Sequence, residues 1–246
     1  MKRRIPELPK DKNGLPILSN LQIDELANYM ALDFCPDIVE NPRPIDLDRF
    51  IEQYLEFGYD IQYLSNCECY LGVTVFKDML FPVFNYESFE AELTFVPANT
   101  IIIDQMLYRK MEMDGHEGRY RFTLAHECGH AVMHQEFYTE QAASIKEARS
   151  QLSAYSTGEC YSAIDAETNR AEQQANKFAS CLLMPRSSII HLLEDRVTPA
   201  WEDRDILSLV RETFNVSWPS AFYRLKELGW LSTESEEFKW EEFSIL

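Results

Sequence analysis

Arg121-Phe122-Thr123-Leu124-Ala125-His126-Glu127-Cys128-Gly129-His130 is the stretch that decides how this chain is read. It lies inside Arg119 to Phe137, a run with helical periodicity and few β-branched residues, which predicts one long helix. Four residues of helix rise about 6 Å and turn about 40° past a full circle, so His126 and His130 project from one face as a pincer for a cation. Glu127 stands about 100° around the helix, beside such a cation, where its carboxylate can take the proton of a water. His134 keeps the same interval but sits about 12 Å along the axis from His126, too far to share the ion, which leaves it a packing or supporting role. Cys128 lies about 200° from His126 and is expected in the core. Gly129 costs up to about 1 kcal/mol in a helix interior, which makes sense if another helix or a substrate passes close by.

His126-Glu127-Cys128-Gly129-His130 has the H-E-x-x-H spacing of zinc metallopeptidases, and its helical context agrees with the motif. A catalytic zinc takes three protein ligands and keeps one open position, so a third donor must come from elsewhere. The amphipathic run Glu172 to Pro185 supplies a candidate, its buried stripe being Ala175, Phe178, Ala179, Leu182 and Leu183, with Glu172 and Asn176 sharing that face. A carboxylate beside an apolar stripe needs a partner, and a dication held by histidines is a suitable one. On residue chemistry alone Glu172 has only a slight preference over Glu167, Asp165 and His116.

Outward from this centre, residues 1–18 carry Pro6, Pro9, Gly14 and Pro16 among charges and are expected as an extended arm. Helices are expected from Asp24 to Phe34 and from Pro44 to about Phe57. Strands are expected at Asp60 to Leu64, Tyr70 to Phe76, Leu80 to Phe84, Glu92 to Val96 and Thr100 to Ile103, forming one small antiparallel sheet. Tyr138 to Ala166 is polar and weakly patterned, a loop or lid; helices follow at Glu167 to Met184, Ser187 to Asp195, Asp203 to Phe214 and Ser217 to Leu228. The division expected is an arm at 1–18, a main domain at 19–195, a C-terminal helical subdomain at 196–231 and an acidic tail at 232–246. The fold class is α+β.

Lys and Arg number 23 against 41 Asp and Glu, a net charge of −18, so the chain repels a phosphate backbone and no direct nucleic-acid partner is expected. Asp203 to Leu228 has a helix-turn-helix outline, but Arg204, Arg211, Arg224 and Lys226 are balanced by Asp203, Asp205, Glu212 and Glu227. Core packing by Phe214, Val216, Phe222, Leu225 and Leu228 is the expectation there. No apolar run approaches the roughly 18 residues of a membrane span, and the start of the chain lacks a secretory apolar stretch, so no membrane and a cytoplasmic location are expected. Cys35, Cys67, Cys69, Cys128, Cys160 and Cys181 form no C-x-x-C pair and read as reduced thiols.

The helix Arg121 to His130 followed by Glu172-x-x-Ala175-Asn176-x-Phe178-Ala179-x-x-Leu182-Leu183-Met184-Pro185 resembles the two signature helices of the ImmA/IrrE family of bacterial and phage metallopeptidases. The similarity runs from the Pro44-Ile45-Asp46 helix, through Thr100 to Asp104, to Phe214-Asn215-Val216-Ser217 and Arg224-Leu225, leaving out the arm, the 138–166 insertion and the tail. It implies a mainly helical, zincin-like domain with the small sheet packed on the active-site helix, followed by helix-turn-helix-like helices. It implies one Zn2+ held by His126, His130 and Glu172, Glu127 as general acid/base, and Asn176 as a supporting residue. It further implies hydrolysis of a peptide bond in a specific protein, a basic helix-turn-helix repressor, with relief of repression; the alternative is a zinc-stabilised module that sequesters the repressor without cutting it. The donor for the oxyanion is left among Tyr155, Tyr161, His116 and Arg121.

Overall fold

The computed structural model describes residues 6–66, 70–114, 117–141, 166–198 and 200–231. The first helix, α1 (Asn20–Phe34), starts ahead of the apolar spacing at Asp24 because Ser19 and Gln22 form a capping box, each side chain accepting from the other's backbone N–H. Asp46 caps α2 (Leu47–Arg49), its carboxylate accepting from Arg49 N at 3.1 Å. The expected helix to Phe57 does not run on as α-helix: Phe50–Leu55 is a π-helical turn closed by Glu56 at φ 56°. The wider turn buries the adjacent Phe50 and Ile51 together and stacks Phe50 on Tyr54, with ring centroids 4.9 Å apart.

Strands β1 (Gly58–Gln62), β2 (Gly72–Val75), β3 (Met79–Asn85), β4 (Glu90–Val96) and β5 (Thr100–Asp104) fall where expected, but their pairing corrects the expected single antiparallel sheet. They form a three-stranded sheet in the order β1-β5-β2 and a separate β3–β4 hairpin, with β1 parallel and β2 antiparallel to β5. The reason lies in Thr100-Ile101-Ile102-Ile103: a continuous apolar run is buried on both faces, as its fully buried isoleucines are, and so takes the central position.

Helices α3 (Gln105–Asp114), α4 (Glu117–Met133), α5 (Gln135–Gln141), α6 (Ala166–Leu183), α7 (Arg186–Arg196), α8 (Asp203–Phe214) and α9 (Trp218–Glu227) complete the described chain. The long helix expected through Phe137 divides into α4 and α5, yet His134 N donates to His130 O at 2.9 Å and Tyr138 N to His134 O at 3.0 Å, so the helical path crosses the junction. The most extensive helix–helix contact is α4 on α6, and α1 lies against α6 as well. Gly129 makes the first of these possible: a Cβ there would meet Ala175 Cα at 3.0 Å and Ala175 O at 3.2 Å. The apolar stripe of α6 is fully buried in the resulting core.

Ser217 caps α9, and Asn215 turns the chain from α8 at φ 50°. Phe214, Val216, Phe222 and Leu225 are buried and Leu228 is partly so, in keeping with core packing. Arg224, one of the four bases counted in this segment, is fully buried, donating to Asp24 at 2.7 and 3.0 Å and to Met184 O at 3.2 Å. Arm residues 9–17 also depart from expectation, folding into a turn instead of extending. Asp11 Oδ1 accepts from Asn13 N and Leu15 N, Gly14 adopts φ 79°, and Leu15 is buried against Phe137 and Ala171. Among the described residues no helix is long and apolar enough to cross a membrane.

Candidate metal centre and active site

Two helices built by ordinary amphipathic spacing carry the site, and their close approach at Gly129 sets its width. From α4, His126 and His130 turn Nε2 toward α6, the two atoms 2.9 Å apart. From α6, Glu172 brings Oε2 to 3.1 Å from His126 Nε2 and Oε1 to 3.4 Å from His130 Nε2. These ligand-type atoms of His126, His130 and Glu172 lie within 4.8 Å of one another, the one such group among the described residues. Cys128, one turn face away, is fully buried in the core, and burial pushes its thiol well above the ordinary range.

Each imidazole is fixed from behind. His126 Nδ1 lies 2.9 Å from Asn176 Oδ1, and His130 Nδ1 lies 3.0 Å from His134 Nδ1. His134 in turn places Nε2 3.0 Å from Gln174 Oε1. His134 is fully buried; burial, reinforced by His130 beside it, pushes it down to about 3, so it is a neutral imidazole. For Glu172, burial opposes ionisation, but the His126 and His130 rings against its two oxygens outweigh it and hold the carboxyl well below the usual range. For His126, burial opposes the charged form, while Glu172 and the charge of Glu127 hold it above its ordinary value. With both Nδ1 atoms engaged, two Nε2 atoms and a carboxylate face one another, a donor set of two nitrogens and one oxygen that fits a divalent cation such as zinc.

Glu127 is nearly buried and turns toward the edge strand β2, where its Oε2 accepts from Thr74 Oγ1 at 2.7 Å. A Cβ on Gly72 would stand 2.8 Å from Glu127 Oε1, so the absence of a side chain there leaves that oxygen its place.

Of the rival third ligands, Glu167 is turned away, its Oε1 accepting from Asn13 Nδ2 at 2.7 Å; Asp165 and His116 lie outside the described residues. Of the oxyanion donors, Arg121 is corrected: its guanidinium donates to Ile45 O at 3.0 Å, beside the α2 segment and not at the Glu172 cluster. Tyr155 and Tyr161 lie outside the described residues, as do Cys67, Cys69, Cys160, the acidic tail and positions 142–165 of the expected lid. Residues 138–141 of that lid belong to α5.

A residue passed over in the sequence is Tyr138, whose hydroxyl donates to Glu172 Oε1 at 3.2 Å and whose ring lies 5.4 Å from that of His130, stacked on Phe76. Its signal was the continued interval of four, His126, His130, His134, Tyr138, which the polar loop assignment beginning at 138 obscured. Compared with known proteins, the chain matches no family model and no curated protein.

Proposed function

We propose that this chain is a zinc-dependent endopeptidase of zincin-like type, similar to the ImmA/IrrE family, that hydrolyses a peptide bond in a basic helix-turn-helix repressor. The observation that carries the reading is the convergence of His126 Nε2, His130 Nε2 and the Glu172 carboxylate, with Glu127 next to His126 on the same helix. The repressor as substrate rests on the family resemblance, and the acidic balance of the chain suits a basic partner.

His126, His130 and Glu172 would hold the ion, whose chemistry when bound is Lewis acidity toward a carbonyl and toward water. Glu127 takes a proton from the attacking water at its carboxylate and returns it to the leaving amine nitrogen. Thr74 holds Oε2 of that carboxylate, which leaves Oε1 for the proton. Asn176 keeps His126 oriented through Nδ1. Tyr138 is the hydroxyl nearest the ligand carboxylate among the described polar contacts, and we assign it to donate to the tetrahedral oxyanion after turning from Glu172.

The test is co-expression with candidate basic repressors, read by mass spectrometry for a cut, together with metal analysis of the purified chain. Glu127→Gln is expected to keep zinc and abolish cleavage. Repressor inactivation that survives Glu127→Gln intact would establish the sequestering module in place of the peptidase, and a chain purified free of zinc and unable to take it up would defeat both.

A further inference from the structure

The turn at residues 9–16 reaches the candidate ligand set. Gln174 donates from Nε2 to Pro16 O at 2.9 Å, in a pocket where Gln174 is nearly buried and His134 fully so. A peptide carbonyl can only accept, so it fixes the direction of every hydrogen bond behind it. Gln174 must present NH2 to Pro16, and therefore Oε1 to His134. His134 must then donate from Nε2; fully buried, with an amide oxygen and another imidazole as its hydrogen-bond partners, it has no counter-charge for a second proton and so accepts at Nδ1. His130 must donate from Nδ1, which leaves its Nε2 with the lone pair a metal requires. Reversing the Gln174 amide would set Oε1 against the Pro16 oxygen in a dry environment, where two facing acceptors are strongly disfavoured.

We infer that the N-terminal turn is a working part of the metal centre: through the positioning residues Gln174 and His134, the Pro16 carbonyl fixes the tautomer and ring setting of His130. This rests on the metal reading above. The turn is seated independently of the relay, by Leu15 against Phe137 and Ala171, by Arg170 to Asp11 at 2.8 Å, by Asn13 to Glu167, and by the Lys10–Glu136 ion pair. A metal-ligating histidine ordinarily gives its other N–H to a carboxylate or carbonyl; here two buried side chains carry that role to a carbonyl on a distant segment.

The experiment uses the full chain and two readouts other than activity. Long-range 15N–1H spectra of the wild-type protein are expected to show His130 protonated at Nδ1 and His134 at Nε2; the opposite tautomers in either ring would overturn the inference, with no variant needed. Titration with zinc against a chromophoric chelator is expected to give a Kd about 10 to 100 times higher for Gln174→Leu, with an altered visible spectrum for the Co2+ form. Leu15→Ala, which loosens the turn without touching the relay, is expected to raise Kd in the same direction by a smaller factor. A Gln174→Leu Kd within twofold of wild type would overturn the relay alone, and an unchanged Leu15→Ala Kd would overturn the part assigned to the turn. A wild-type chain that takes up no zinc in the same titration would overturn the metal reading and this inference with it.

Discussion

Replacing Gly129 with alanine adds one methyl at the point where the two helices that carry the candidate ligands touch. That carbon would lie 3.0 Å from Ala175 Cα, 3.2 Å from Ala175 O and 3.3 Å from Phe178 Cβ, all shorter than the roughly 3.5 Å at which carbon contacts become comfortable. None of these atoms can be moved by a rotamer change, so α4 and α6 must separate by a few tenths of an ångström. Overpacking of this kind costs about 1–3 kcal/mol, and removing a helix-interior glycine returns about 1 kcal/mol, so a net loss of about 1 kcal/mol is expected. For a chain of this size that is a fall of about 2–4 °C in Tm, read by calorimetry. Gly129 adjoins His130, and Ala175 adjoins Asn176, three positions from Glu172, so the displacement is passed directly to the ligands. A metal site tolerates about 0.2 Å in its ligand distances, and zinc Kd is expected to rise about tenfold. A variant with raised Tm and unchanged Kd, the outcome of helix propensity acting alone, would refute the claim that contact at Gly129 sets the width of the site.

Three further outcomes are expected. Gly72→Ala sets its methyl within 3 Å of Glu127 Oε1 and Cγ, so turnover should fall about 10- to 100-fold while zinc Kd holds, measured on a cleaved repressor; equal losses in both would show that Gly72 serves the fold generally. Asp24→Asn removes the main partner of a fully buried guanidinium and should cost about 3 kcal/mol in urea unfolding. In the wild type, burial opposes ionisation of Asp24 but Arg224 holds its carboxyl below the ordinary value, so the pair's contribution is fully present above about pH 4 and fades as pH falls through the folded value. Stability should therefore drop more steeply below pH 4 in the wild type than in Asp24→Asn, and parallel curves would exclude the linkage. Glu172→Ala should lower zinc occupancy severely, with full occupancy by metal analysis removing Glu172 from the ligand set.

Much of this was legible because helical information is local. The pairing of His126 with His130, the core side of Cys128 and the close neighbour of Gly129 all follow from angles along one helix, and the helix openings at Asp46 and Ser217 are written in single residues, whereas the start of α1 at Asn20 was missed because its cap Ser19 lies ahead of the apolar spacing. Glu172 was marked by a charge lying next to an apolar stripe, but its choice over Glu167 needed the family likeness, since nothing local shows that Glu167 meets Asn13. The sheet was misjudged because strand order is set by distant partners: Ile101 and Ile103 are buried in the main core with the helices, while Ile102 packs with Leu64, Phe81 and Val96 on the other face. The π-helical turn at Phe50–Leu55 was hidden for a similar reason, since its wider pitch serves rings at Phe34 and Tyr54. The burial of Arg224 could not be read from the sequence, because its partner Asp24 stands two hundred positions earlier.

The contact of α4 with α6 is sealed by Leu124, Ala125, Cys128, Phe178, Ala179 and Leu182, apolar groups that cohere through exclusion of water with no help from an ion. Zinc fingers, by contrast, owe their folded state to the metal and collapse when it is withdrawn. This scaffold should therefore survive a chelator: activity could be switched off and restored by dialysis, and other divalent ions could be traded into one and the same folded preparation and compared side by side.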